Sequence, residues 1–253
     1  MHLVCSMGEE SAVLELDRLN LIDFDRTLFR CGEFMLALHD QLLLLNTADI
    51  ELPSREQVIQ DISAESLPFA AYYSDKGVQL NTLYTAAKAL EDSYVYDDVC
   101  ILEELTGCVM IYTKGERNTQ ELKIYHSKLS HKAEGQSKYD ETAKPGVWIV
   151  QTNKGELLKQ AIDLYASDAN AIVLRWDGVQ YKVKELIFVD DKYEEIKPLV
   201  DLAKRDIPLY LAHIVRGDSK YGAADDRDES VVAEINTLRD LEDKMREMKI
   251  QSL

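Results

Sequence analysis

Asn20–Phe29 reads NLIDFDRTLF. An apolar run carries Asp23 and Asp25 at its far end, and Arg26 and Thr27 follow before the chain turns apolar again. Side chains two apart on a strand face the same way, so the two carboxylates leave the end of a Leu19–Phe24 strand together. Adjacent like charges repel. Taken alone, the pair is better accounted for by an Asp-rich turn than by a reaction centre, so the rest of the chain must decide.

Four further runs have the same apolar, non-alternating character: Cys108–Tyr112, Val147–Val150, Leu186–Val189 and Pro208–Ile214. Strands covered on both faces look like this, which predicts a parallel sheet. Helical patterns follow the runs at Asn118–Lys128, Lys154–Tyr165 and Tyr193–Lys204. Each strand–helix unit fits a βαβ crossover. The stretch Ala171–Val183 departs from this rhythm, and Asp177-Gly178 between its β-rich arms predicts a hairpin with a type I′ turn.

In an open parallel sheet the ligand crevice lies at the carboxyl ends of the strands. Polar residues stand at four such ends: Asp23 with Asp25, Thr113 after CVMIY, Lys154 after VWIVQTN, and Asp190-Asp191 after LIFV. Each has a local explanation as a cap or a turn. Together they are harder to dismiss, because a lysine in a helix's first turn and paired surface acids are both slightly unfavourable.

In this order the stretches LIDFDRTL, VMIYT, TNKGELL and LIFVDD resemble the four motifs of the haloacid dehalogenase superfamily. The match runs from Leu21 to Asp191 and implies an α/β fold: a Rossmann-like parallel sheet sandwiched by helices, with a mostly helical cap domain. Lys144-Pro145 resembles a lysine–proline pair seen in many members, but Lys144 precedes a strand and would lie at the wrong end of the sheet. Lys154 is kept. The hairpin-like insert departs from a minimal family pattern.

The resemblance implies a Mg²⁺-dependent phosphatase that works through an aspartyl-phosphate. Asp23 is then the nucleophile and Asp25 the general acid and base. Mg²⁺ falls to Asp23, the Asp25 carbonyl, Asp190 and Asp191. Lys154 neutralises charge, Thr113 hydrogen-bonds the phosphoryl group, and Thr27 braces the loop. Arg26 and Arg30 flank the site and could meet a second anionic group. A dehalogenase needs neither the acid nor the metal, so Asp25 favours phosphate esters. A phosphotransferase or phosphomutase, or a non-catalytic scaffold that keeps the fold, would share the same residues.

These motifs divide the chain into a core (1–29 and 107–225), a helical cap (30–106) and a C-terminal amphipathic helix (226–253). The cap reads as helical at Gly32–Leu45, Ser54–Ile62 and Leu80–Glu91, and Tyr72 and Tyr73 belong to its core or its pocket. A cap that closes over the site argues for a small phosphorylated substrate. Val231, Ile235, Leu238, Leu241, Met245 and Met248 recur at helical spacing. This stripe packs on its own domain or, alternatively, pairs two copies into a homodimer.

The chain has 253 residues, 46% of them hydrophobic and 30% charged, which is ordinary globular composition. A net charge of −17 disfavours nucleic acid and anionic membranes. No apolar run approaches the roughly 20 residues of a membrane span. MHLVCSMGEES lacks the basic flank and apolar core of a signal peptide. The four cysteines, Cys5, Cys31, Cys100 and Cys108, form no CxxC pair. Cys100 and Cys108 read as core residues, and the whole as a reduced, cytoplasmic protein.

Overall fold

The first strand, β1, spans Val13–Ile22. Its second half, from Arg18 onward, is buried, because helices cover both faces of the sheet there. The computed structural model describes residues 13–45, 50–63, 68–129, 146–217 and 228–251. After β1 come α1 (Cys31–Leu44), α2 (Arg55–Ser63), α3 (Phe69–Asp75) and α4 (Leu80–Lys88). The alternation then begins with β2 (Cys108–Lys114), α5 (Arg117–Ser127), β3 (Gly146–Val150) and α6 (Lys154–Ala161). It continues through β4 (Ile172–Trp176), β5 (Val179–Asp190), α7 (Tyr193–Ile196), α8 (Val200–Ala203), β6 (Leu209–Ile214), β7 (Val232–Ile235) and α9 (Leu241–Gln251).

The strands form one seven-stranded sheet in the order β3-β2-β1-β5-β6-β7, with β4 paired to β5. All pairings are parallel except β4 with β5. Strand residues divide by period two between two buried clusters. Ile22, Ile111, Ile187, Val189 and Ile214 join α1, α3, α4 and α5 on one face. Leu19, Leu21, Tyr112, Leu186, Phe188 and Leu211 join α6, α7 and α8 on the other. This double burial is the reason the strands read as unbroken apolar runs.

The hairpin forms as expected: Trp176 pairs with Val179 across a two-residue turn, and Asp177 and Gly178 both have positive φ, at 51° and 75°. The helices α1 to α4 fill the segment between β1 and β2 and bury Phe34, Leu38, Phe69, Tyr73 and Leu83 in the same cluster as the sheet. Tyr73 is fully buried, with its hydroxyl 2.5 Å from His39 Nδ1, and Tyr72 is hydrogen-bonded to Asp61 at 3.1 Å.

Several expectations are corrected. The C-terminal stripe is not one helix: its start forms β7, because the edge of β6 takes Val232–Ile235 as a further parallel strand. Beyond it a 3-10 turn, Leu238–Asp240, leads into α9, and Leu238, Leu241 and Met245 are buried within the chain itself. Lys154–Tyr165 stops at Ala161, where Ile162 turns extended and bridges Leu174. Pro198 interrupts Tyr193–Lys204 with a 3-10 turn. Cys100 is exposed, because its turn points Val99 and Leu102 inward instead, and Cys108 is only half-buried. Lys144-Pro145 and most of the polar stretch after Gly217 lie outside the described residues. No helix among the described residues is long and apolar enough to cross a membrane.

Candidate active site

The ends of β1 and β5 meet at one rim. The backbone N–H of Asp23 donates to the Val189 carbonyl at 2.9 Å, which sets Asp23 beside Asp190 and Asp191. The chain then turns tightly from Phe24 to Phe29, closed by Leu28 N–H to Phe24 O at 2.9 Å and Arg26 N–H to Phe29 O at 2.8 Å. Arg26 adopts φ 63°, a left-handed conformation that is uncommon for non-glycine residues. Arg216 braces this turn by donating to the Thr27 carbonyl at 2.6 Å, and its other arm holds buried Asp98 at 2.7 Å.

Lys154 opens α6 and is fixed at several points. Its carbonyl accepts from the Tyr112 hydroxyl at 3.0 Å, and its N–H donates to the Glu195 carboxylate at 2.5 Å. The next residue must be glycine, because a Cβ on Gly155 would sit 2.0 Å from the Glu195 carbonyl oxygen. The Lys154 ammonium reaches Asp23 Oδ1 and lies 2.6 Å from Asp190 Oδ2.

Asp23, Asp190 and Asp191 are all buried, and an oxygen from each lies within 4.8 Å of the others. Asp23 Oδ2 and Asp191 Oδ2 accept no hydrogen bond from the described residues. Three buried carboxylates thus lie together, and one ammonium contacts two of them. Burial raises Asp23 and pushes Asp190 up to about 7, with Lys154 opposing both shifts. Asp191 is raised well above the ordinary range, first by burial and then by its two acidic neighbours. Burial works against the Lys154 ammonium, but Asp190 and Asp23 outweigh it and raise its pKa. A negative, oxygen-only pocket with spare acceptor atoms fits a hard divalent cation such as Mg²⁺.

Asp25 also lies on the cleft, where its carboxylate is held by side chains of α5. Lys123 Nζ sits 2.6 Å from both of its oxygens, and Gln120 Nε2 donates to Oδ2 at 3.0 Å. Thr113, near the end of β2, is fully buried and its hydroxyl has no protein hydrogen-bond partner among the described residues. Arg26 lines the cleft. Arg30 does not: it donates to the Val95 carbonyl at 3.0 Å and lies over the Tyr96 ring. The cleft measures about 430 Å³, and the helical insert supplies Cys31, Met35 and Pro68 to its wall.

Lys123, Gln120 and Glu195 were not singled out in the sequence. The first two are polar residues on a helix face, where the sequence points to solvent, and only the fold buries them.

No family model matches the chain, and no curated protein matches it. Solved structures do. A protein described as a haloacid dehalogenase-like hydrolase from Burkholderia xenovorans is 17% identical, with a TM-score of 0.51 over 94% of this chain and 99% of that one. A haloacid dehalogenase-like family hydrolase from Xanthomonas campestris is 12% identical, with a TM-score of 0.46 over 94% and 98%. At 17% identity the first likeness is one of fold.

Proposed function

We propose that this chain, which has the haloacid dehalogenase-like fold, is a phosphatase that hydrolyses small phosphate monoesters through a phosphoryl group carried on Asp23. One observation carries this reading. Asp23, Lys154, Asp190 and Asp191, from three separate stretches of chain, converge in one buried cluster, with Asp25 on the same cleft. Buried like charges are too costly to assemble for stability alone.

A carboxylate oxygen of Asp23 attacks phosphorus, and the ester P–O bond breaks. Asp25 gives its proton to the departing alkoxide. Asp25 then takes a proton from water, whose oxygen attacks phosphorus, and inorganic phosphate leaves Asp23 free. Lys154 pairs with Asp23 and so offsets the repulsion between nucleophile and phosphate. Thr113, whose buried hydroxyl has no protein hydrogen-bond partner among the described residues, would donate to a phosphoryl oxygen. Asp23, Asp190 and Asp191, together with the Asp25 carbonyl, would hold Mg²⁺, which supplies neutralisation of the phosphoryl charge when bound. The cleft of about 430 Å³ falls in the range of small-molecule sites, roughly 300–1,000 Å³, and suits a small phosphorylated substrate.

The test is hydrolysis of 4-nitrophenyl phosphate with Mg²⁺. Wild type is expected to turn it over and Asp23→Asn to fall to background. Equal rates in the two proteins would remove the reading.

A further inference from the structure

We infer that Lys123 and Gln120 are positioning residues that fix the Asp25 carboxylate for proton transfer, and that the site is thereby built for phosphate esters whose alcohol is a poor leaving group. The inference rests on the phosphatase reading and says what part of the cleft sets its substrate class.

Lys123 and Gln120 stand three apart on α5 and share one helical face. Lys123 is only 4% exposed, yet it spends its ammonium on both oxygens of Asp25, at 2.6 Å each. Gln120 Nε2 donates to Asp25 Oδ2 at 3.0 Å and to the Lys114 carbonyl at 2.9 Å, which ties the acid to the end of β2. The chain makes room for this amide: a Cβ on Gly115 would lie 2.4 Å from Gln120 Nε2. The helix itself is pinned. Glu116 caps its first N–H groups at 2.9 and 2.7 Å, and Thr119 Oγ1 accepts from the Ala70 N–H of the insert at 2.9 Å.

Packing does not require a lysine here. An apolar side chain of similar length would fill the space without desolvating an ammonium. What the lysine and glutamine provide is a fixed direction for one carboxylate, and a general acid a fraction of an ångström out of place loses most of its effect. An alkoxide leaves readily only if it receives a proton as the P–O bond breaks. A stabilised phenolate leaves without one. In the step that breaks the ester bond, a clamp on Asp25 therefore matters for the first kind of ester and little for the second, while its action on water in the following step serves both.

The experiment compares phenyl phosphate with 2,4-dinitrophenyl phosphate, esters of similar shape but very different leaving groups, in wild type, Lys123→Met, Lys123→Arg and Gln120→Leu. Melting curves identify the folded variants. For Lys123→Met, kcat/KM is expected to fall about 100-fold on phenyl phosphate and less than about fivefold on the activated ester. The activated ester should also show a burst of about one dinitrophenolate per chain, because the misplaced Asp25 then slows hydrolysis of the phosphorylated Asp23. Gln120→Leu should move the same ratio by less, and Lys123→Arg should restore part of it. An equal fall on both esters, or no fall on either, overturns the inference while leaving an Asp23-dependent phosphatase in place. A wild type inert on both esters overturns the phosphatase reading and the inference with it.

Discussion

At the scale of single residues, the site is a problem of charge. Asp23, Asp190 and Asp191 are buried together, and within the triad Lys154 is the cation that contacts two of them. Breaking a buried ion pair from one side leaves the other charge uncompensated and costs about 3–5 kcal/mol. Lys154→Met keeps the volume and removes the ammonium. Two effects are expected: a metal-free protein less stable by an amount of that order, and a fall in kcat from the loss of charge beside Asp23, the proposed nucleophile. Added Mg²⁺ should recover much of the stability, because the ion would replace a missing positive charge, but not the activity. Urea denaturation with and without Mg²⁺, beside a rate assay, separates the two. If stability is unchanged without metal, Lys154 does not neutralise the triad.

At the scale of elements, precision at the rim comes from how helices are seated. Helix α6 packs so closely on α7 and the 3-10 turn after it that a Cβ on Gly155 would lie 2.0 Å from the Glu195 carbonyl oxygen and 3.2 Å from Pro198. Gly155→Ala should push α6 outward and move Lys154 with it. Overpacking of this kind costs about 1–3 kcal/mol, and activity should fall further than stability alone explains; calorimetry and kcat on one preparation test this. The same view explains what was legible in the sequence. Asp23, Lys154, Asp190 and Asp191 could be read because each follows an apolar strand, and strand ends share a rim. Lys123 and Gln120 sit on a helix face, where polar residues usually mean solvent, so their burial was invisible before folding. The strand β7 was hidden for a different reason. Val231 and Ile235 also fit the 3.6-residue period of the stripe ahead of α9, and a four-residue strand has too few positions to overrule it. What made it a strand was the open edge of β6, a tertiary fact.

At the scale of the whole molecule, a chain of net charge −17 gains from any cation, so a specific metal site must be told apart from general screening. The protonation of the triad provides the means. Burial lifts Asp190 from the ordinary 3.8 to about 7, with Asp191 and Asp23 shifted the same way. Between those two values the folded protein holds more protons than the unfolded chain. Its stability therefore falls as pH rises through that window, opposite to the behaviour of a carboxylate whose folded pKa is depressed. Mg²⁺ needs the ionised carboxylates, so its stabilisation should be small at pH 5 and large at pH 8. A site filled to 100 times its dissociation constant adds about 2.7 kcal/mol. For a chain of this size that is an increase in Tm of about 5–10 °C. Melting curves after chelation, with Mg²⁺ added at constant ionic strength, should show this gain at pH 8 and little at pH 5, and Asp190→Asn should abolish it. An equal rise with NaCl, or a Mg²⁺ effect independent of pH, would mean that the −17 surface is being screened and that the triad holds no ion.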